Sequence, residues 1–145
     1  MAREGHAPPM RIQVTGISMF PLLRSQKDYV TIQPIEDVPG TGDIVLFSDP
    51  RKAGHYVLHR VWQTEGDMVL PWGDNCKFPD GWVPLTHVWG KAELIERGRR
   101  RIRPDPVKGL RLAKFWHVAG RGWRFAVKVK NWARHRLRRL THRRK

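Results

Sequence analysis

Seven residues near the middle of the chain read Tyr56-Val57-Leu58-His59-Arg60-Val61-Trp62. Successive side chains of a β-strand point to opposite faces, so a strand here places Val57, His59 and Val61 on one face. A histidine on an otherwise apolar face is half-buried and needs a hydrogen-bond partner. For this segment alone, a core histidine with a satisfied ring is the favoured interpretation, and a catalytic base is the alternative.

Similar β-rich runs lie on both sides of this segment, and turn-forming residues separate them. The runs are Arg11 to Thr15, Tyr29 to Gln33, Asp43 to Phe47, Tyr56 to Gln63, Met68 to Leu70 and His87 to Ile95. This pattern predicts a mainly β fold, with one small antiparallel β-domain over residues 11–96 and a disordered N-terminus over residues 1–10.

The charge of the 145-residue chain is divided very unevenly. The formal net charge is +15, but counting side chains gives −3 for residues 1–96 and +18 for residues 97–145. Cys76 is the one cysteine, which excludes a disulfide scaffold and a cysteine-based zinc site. We expect neither a metal nor another cofactor. No apolar run approaches the roughly 20 residues of a membrane-spanning helix, and the N-terminus lacks the apolar core of a signal peptide.

The basic part of the chain divides into a linker and a helix. Residues 97–106 are rich in arginine and end in prolines, which predicts a charged linker. Residues 107–145 repeat apolar residues at three- and four-residue steps with Lys and Arg between them, the pattern of a basic amphipathic α-helix. Its expected membrane-facing residues are Trp116, Trp123, Trp132, Arg124 and Lys128.

An anionic membrane surface is the favoured partner of this helix. About six cations at about 1 kcal/mol each would contribute about 6 kcal/mol to such binding. Packing of the helix on the β-domain is one alternative, and nucleic acid is a less favoured one. We therefore expect peripheral association with a membrane. Either face remains open, and the absence of an export signal and of a membrane anchor favours the cytoplasmic one.

Two further segments place reactive side chains in turns. Residues 16–23 read Gly-Ile-Ser-Met-Phe-Pro-Leu-Leu, and residues 73–75 read Gly-Asp-Asn with Asp80 a few positions later. Each segment alone has an ordinary explanation, because serine, asparagine and aspartate stabilise turns.

Together and in this order, the segments resemble the signal peptidase I family of serine endopeptidases. The family pattern is G-x-S-M-x-P-x-L, then G-D-I-V-x-F, then a base followed by R-V, then G-D-N, an acidic residue and a strand near a glycine. It is matched by residues 16–23, 42–47, 59–61, 73–75, Asp80 and 88–90. Most bacterial members have lysine as the base. His59 at this position matches the endoplasmic-reticulum and archaeal branch, which uses serine, histidine and aspartate.

The resemblance covers roughly residues 12–96 and implies a signal-peptidase-like β-domain that cleaves a signal or leader peptide from a precursor. Ser18 is then the nucleophile, His59 the general base, and Asp80, or less favourably Asp74, the carboxylate that orients the imidazole. The implied supporting residues are Gly16, Met19, Pro21, Arg60 and Asn75.

One departure from the family concerns the oxyanion site. Many members carry a serine where this chain has Gly16, so the oxyanion would rest mainly on the backbone N–H of Ser18, with Thr15 or a solvent molecule as further candidate donors. Slow turnover is one of the results that this departure allows. An alternative for the whole protein is a weak or inactive family-like scaffold whose basic tail binds membrane or nucleic acid.

Overall fold

The predicted β-rich runs form strands of an antiparallel sheet in the computed structural model, which describes residues 7–119. The strands are β1 Met10–Gln13, β2 Asp28–Gln33, β3 Ile44–Ser48, β4 Tyr56–Glu65, β5 Met68–Trp72, β6 Val83–Pro84, β7 Val88–Arg97 and β8 Arg100–Ile102. Each predicted run overlaps a strand, and β6 and β8 go beyond the predicted set. The prediction of a mainly β, antiparallel fold is confirmed.

The sheet has eight strands in the order β1-β2-β7-β3-β4-β5-β6, and β8 pairs with β7. The register shifts within the β2/β7, β3/β7 and β4/β5 pairs. Such irregularities bend strands and increase their twist, which curls the sheet. Because β1 lies at one end of the strand order, it is an edge strand.

The core lies on both faces of the curled sheet, and β3 contributes to both. Ile44 and Leu46 belong to one cluster of buried side chains, whereas Val45 and Phe47 belong to another. In β4, Val61 and Val57 pack with the second cluster, and Leu58 packs with the first. The alternation predicted for residues 56–62 is therefore present, and it sends His59 and Arg60 in opposite directions.

The segment predicted as the first part of a linker is instead a β-hairpin. Arg97 pairs with Arg100 across a two-residue turn, and Gly98 in that turn has a φ of 57°, which suits glycine in short hairpins. Ile102 pairs with Ile95 and packs against the first core cluster. The arginine-rich composition hid this hairpin, because exposed arginines on one face do not prevent strand pairing.

An α-helix, α1, begins at residue 106 and is described to residue 119. Pro106 occupies its first position, where a missing N–H costs no helical hydrogen bond. The Lys108 N–H donates to Asp105 Oδ1 at 3.0 Å, as in an N-cap. Ala113, 2% exposed, lies on its inner face. Within residues 7–119, no helix has the length and apolar character needed to cross a membrane.

Three predictions for the termini are only partly within the described residues. Met10, assigned to a disordered N-terminus, is the first residue of β1, whereas residues 1–6 lie outside the described part. The predicted helix over 107–145 is described only to residue 119. The expected membrane-facing residues Trp123, Arg124, Lys128 and Trp132 lie outside the described residues.

Candidate active site

The ring of His59 is bound by a carboxylate. His59 lies on β4 opposite Val45 and is 5% exposed. Its Nδ1 donates to Asp80 Oδ2 at a distance of 2.6 Å. Asp80 is held in the loop between β5 and β6 by its backbone N–H, which donates to the Pro71 carbonyl at 2.9 Å. This bond fixes the ring orientation and leaves Nε2 as the nitrogen available to accept a proton.

The serine predicted as the nucleophile lies on a turn after β1. The turn begins at Gly16, whose φ of 76° favours glycine. The Asn75 N–H donates to the Ser18 carbonyl at 2.8 Å, and the Asn75 side chain donates to the Ile17 carbonyl at 3.0 Å. Buried Met19 receives the Asp74 N–H on its sulfur at 3.4 Å. The two predicted turns are thus bound directly to each other.

Pro21, another predicted supporting residue, follows a cis peptide bond after Phe20. Pro21 is exposed, whereas Leu23, which ends the same turn, is 1% exposed and packs in the first core cluster. The Leu23 N–H donates to the Met19 carbonyl at 2.9 Å. Buried Met19 and Leu23 therefore anchor the turn to the first core cluster.

Ser18, His59 and Asp80 line one cavity of about 720 Å³. Edge strand β1 forms one wall of this cavity, and residues 55–59 contribute another. Thr15 and Gly16 also line it, beside Ser18. An edge strand that borders a cavity can bind an extended peptide through its backbone. The arrangement therefore places the serine and the histidine that were predicted as nucleophile and base at the wall of one cavity.

Gly73 is the point where the three parts of the site meet. A Cβ atom at this position would lie 2.5 Å from Cys76 Sγ, 2.8 Å from the Ser18 carbonyl oxygen and 2.9 Å from His59 Nε2. Real Cβ atoms do not approach other atoms so closely, so this position requires glycine. The G-D-N motif included Gly73, but its role as the space-limiting residue was not predicted.

Cys76 was missed as a member of the site. Its Sγ lies 3.9 Å from His59 Nε2 and 4.0 Å from the Ser18 carbonyl oxygen. Nothing in the sequence pattern indicated this contact, because it depends on how the turn at residues 73–76 folds over β4.

The pKa of His59 is raised to about 9. Burial alone would lower it, because burial penalises the charged ring, but hydrogen bonds and charge interactions with Asp80 and Cys76 outweigh burial. Within the described residues, the hydrogen bonds of the ring go to Asp80 and Cys76, and none joins it to Ser18. Catalytic hydrogen bonds are often long or misaligned without substrate and tighten when it binds.

Asp74 does not contact His59, which corrects the less favoured assignment of the orienting carboxylate. Its two carboxylate oxygens accept from Arg60 Nε and Nη2 at 2.9 and 2.8 Å. Arg60 also donates to the Gly42 carbonyl at 2.9 Å. The two side chains are 1% and 3% exposed. The Arg60 side chain lies on the face of β4 opposite His59, and Asp74 pairs with it there. The pair holds the 73–75 turn in place.

We expect Asp74→Asn to lower the free energy of unfolding by about 3 to 5 kcal/mol, because it leaves the buried Arg60 guanidinium without its counter-charge. Urea unfolding followed by tryptophan fluorescence measures this loss. Glu93→Gln is the control, since Glu93 forms a 3.9 Å pair with Arg103 at the surface and such pairs contribute about 0 to 1 kcal/mol. Equal losses in the two variants would contradict a structural role for the Arg60/Asp74 pair.

Trp116, predicted to face a membrane, instead contacts the β-domain beside the site. Its Nε1 donates to Asn75 Oδ1 at 3.4 Å, and its ring meets Phe20 edge-on with centroids 6.2 Å apart. Amphipathic spacing shows which residues share a face but not what covers that face. Within residues 106–119, the inner face of the helix packs on the β-domain, which was the alternative interpretation of this segment.

Close packing of α1 continues along this inner face. His117 lies against Trp62 and Trp72, with ring centroids 5.1 and 4.6 Å apart. A Cβ at Gly109 would lie 2.4 Å from Arg60 Nη1, so this glycine lets the helix approach the buried ion pair. The helix therefore covers the side of the site that carries Arg60, Asp74 and Asn75.

Among residues 7–119, no group of three or more His, Cys, Asp and Glu side chains is placed to hold a metal ion. Comparisons of the chain with protein-family models, curated proteins and solved structures found no match. A function is therefore inferred from the geometry of the site and from the motifs.

Proposed function

We propose that the protein is a serine endopeptidase of the signal peptidase I type, with Ser18 as the nucleophile, His59 as the general base and Asp80 as the orienting carboxylate. One observation carries this proposal. The buried His59 ring is bound by Asp80 at 2.6 Å in the wall of the cavity that Ser18 also lines. A histidine with a purely structural role would need only a hydrogen-bond partner. Here the ring also borders a cavity, which is lined as well by the serine of the motif.

The proposed reaction gives each of these groups one role. His59 Nε2 takes the proton from Ser18 Oγ as the oxygen attacks the peptide carbonyl carbon. The same nitrogen then gives the proton to the leaving amine, which leaves an acyl group on Ser18. Water, activated by His59, hydrolyses this ester. Asp80 stabilises the imidazolium that forms in each step.

The developing oxyanion is assigned to the backbone N–H of Ser18. Gly16 lines the cavity beside Ser18 and brings no hydroxyl of its own, whereas Thr15, which also lines it, carries one. One missing oxyanion donor costs about 2.7 to 4 kcal/mol of transition-state stabilisation. We therefore assign a slow turnover to this site.

The substrate that suits the cavity is an extended peptide segment. Edge strand β1 offers backbone groups for pairing, and apolar side chains line the space beside it, among them Ile12 of β1, Val14 just after β1 and Leu58 of β4. The family resemblance adds a preference for small residues before the cleaved bond. A signal or leader segment of a precursor meets these requirements.

Cleavage of a peptide library tests the proposal directly. The purified full chain is incubated with extended peptides that contain small residues, and the products are identified by mass spectrometry. Cleavage at defined bonds by the parent but not by Ser18→Ala supports the endopeptidase. Cleavage by both proteins alike would indicate a contaminating protease, and cleavage by neither would favour the inactive scaffold.

We also propose that an anionic membrane surface is a partner of the protein, through the outer face of α1. Four apolar side chains on this face are 61% to 77% exposed, namely Val107, Leu112, Phe115 and Val118. Exposed Lys108, Arg111 and Lys114 lie among them. Apolar side chains interleaved with cations suit the interface of an anionic bilayer. Two further apolar side chains are exposed on the turn that carries Ser18, Ile17 at 68% and Phe20 at 42%.

We expect Phe115→Ser/Val118→Ser to bind anionic vesicles at least about tenfold more weakly than the parent, because each buried apolar side chain contributes about 1.5 to 3 kcal/mol. Co-sedimentation with vesicles of mixed phosphatidylglycerol and phosphatidylcholine measures this change. The control is Val38→Ser, which alters an exposed valine (47%) in the loop between β2 and β3. An unchanged affinity in the double variant, or stronger binding to RNA than to vesicles, would contradict the proposal.

A further inference from the structure

Cys76, His59 and Asp80 form a line of thiol, imidazole and carboxylate. Cys76 Sγ lies 3.9 Å from His59 Nε2, and His59 Nδ1 lies 2.6 Å from Asp80 Oδ2. This is the order in which a nucleophile, its base and an orienting group are arranged in thiol chemistry. As a residue, Cys76 is partly exposed.

The position of the thiol is set by the surrounding backbone. The Cys76 N–H donates to the Gly73 carbonyl at 2.9 Å, and Trp72 Nε1 donates to the Cys76 carbonyl at 3.0 Å. The turn therefore holds Sγ against the imidazole. A Cβ atom at Gly73 would lie within 3 Å of Sγ, of His59 Nε2 and of the Ser18 carbonyl oxygen, so these three groups surround the space that the missing side chain leaves.

The thiol is placed to affect the base and not to attack a peptide in the cavity. Ser18, His59 and Asp80 line the cavity wall, and Cys76 is not among the residues that line it. A group added to Sγ would begin 3.9 Å from His59 Nε2. It would displace the imidazole or cover Nε2, the atom that must take the proton of Ser18.

We propose that Cys76 is a site of reversible thiol modification by low-molecular-weight disulfides, and that this modification switches the peptidase off. The inference rests on the proposed endopeptidase function. The thiolate is the form that reacts with a disulfide, and cysteines beside a histidine are typical sites of such reactivity.

The reaction balances as thiol–disulfide exchange. Cys76 thiolate attacks one sulfur of the small disulfide, a new S–S bond forms between them, and the original S–S bond breaks. The leaving thiolate takes up a proton and departs as a thiol. Cys76 is oxidised, and the released half of the disulfide is reduced. An added dithiol reverses the exchange and restores free Cys76.

Glutathione disulfide is the probe for the experiment on the full chain. Because the chain has one cysteine, the mass of the intact protein reports modification at Cys76 alone. We expect peptide cleavage to fall in step with the modified fraction and to return after dithiothreitol. Cys76→Ser, measured against its own untreated rate, should not respond. Full activity of the modified parent, absence of an adduct on the folded parent, or an equal response of Cys76→Ser would overturn the proposal.

The rate of adduct formation separates this inference from the function on which it rests. If the parent cleaves no peptide, the endopeptidase proposal fails, and Cys76 is then judged by its reactivity. We expect Asp80→Asn to react with glutathione disulfide more slowly than the parent, because the imidazolium beside the thiol loses its stabilising carboxylate. His59→Gln provides a second comparison, and circular dichroism checks that both variants are folded. Equal rates in the parent and both folded variants would overturn the proposal.

Discussion

Replacing Ser18 by alanine is expected to lower the rate of peptide cleavage by about 10⁴-fold to 10⁶-fold, the usual result of removing a catalytic nucleophile. The variant keeps the cavity, the His59/Asp80 bond and the backbone N–H of Ser18, but it has no oxygen to form the acyl intermediate. The assay measures initial rates on the best peptide of the library, with product identified by mass spectrometry.

Ser25→Ala is the matched control for this experiment. Ser25 lies between β1 and β2 like Ser18, but it is not among the residues that line the cavity. Its rate should stay within about twofold of the parent, since surface substitutions away from special features usually change little. An unchanged rate in Ser18→Ala, measured on folded protein free of other proteases, would exclude Ser18 as the nucleophile.

Replacing Asp80 by asparagine is expected to lower the rate by about 10⁴-fold, as the loss of the orienting carboxylate does in serine proteases. An amide is neutral and can present its NH₂ group to His59 Nδ1, which favours the wrong tautomer and leaves no charge to stabilise the imidazolium. Asp37→Asn, at an exposed position in the loop between β2 and β3, is the control and should retain activity.

The pH dependence of the cleavage rate provides a second test of Asp80→Asn. The pKa of His59 is raised to about 9, so the ring is mostly protonated at neutral pH and cannot accept the proton of Ser18. Activity of the parent should therefore rise by about tenfold per pH unit towards pH 9. Asp80→Asn removes a contact that raises this pKa, so the residual activity should level off at a lower pH. An identical midpoint in parent and variant would contradict the assigned base.

The strands could be predicted from the sequence because alternation of apolar residues is local. The run at 56–62 indicated both the strand and the face that carries His59. The hairpin of β7 and β8 was missed, since its arginines suggested a linker. The residues that stabilise this hairpin are distant from it along the chain. Arg97 donates to buried Asp28 at 2.6 and 2.7 Å and to the Leu22 carbonyl at 2.9 Å.

The candidate residues of the site could be named from the motifs, which also favoured Asp80 as the partner of His59, but the pairing of Asp74 with Arg60 was not predicted. Asp74 and Asp80 lie in the same loop, so local pattern alone could not assign either with certainty. In the fold, Asp80 accepts a hydrogen bond from His59, 21 residues before it in the chain, and Asp74 accepts one from Arg60, 14 residues before it. The two carboxylates separate because adjacent residues of one strand point to opposite faces.

Local sequence therefore accounts for most of the strands and for the division of charge, and the resemblance of motifs accounts for the choice of Ser18 and His59 as candidates. Tertiary structure decides which groups meet. It places Cys76 beside His59 and turns Trp116 towards Phe20. Side-chain periodicity depends on a few neighbouring residues, whereas these contacts depend on how a turn and a helix pack over β4. No local pattern contains that information.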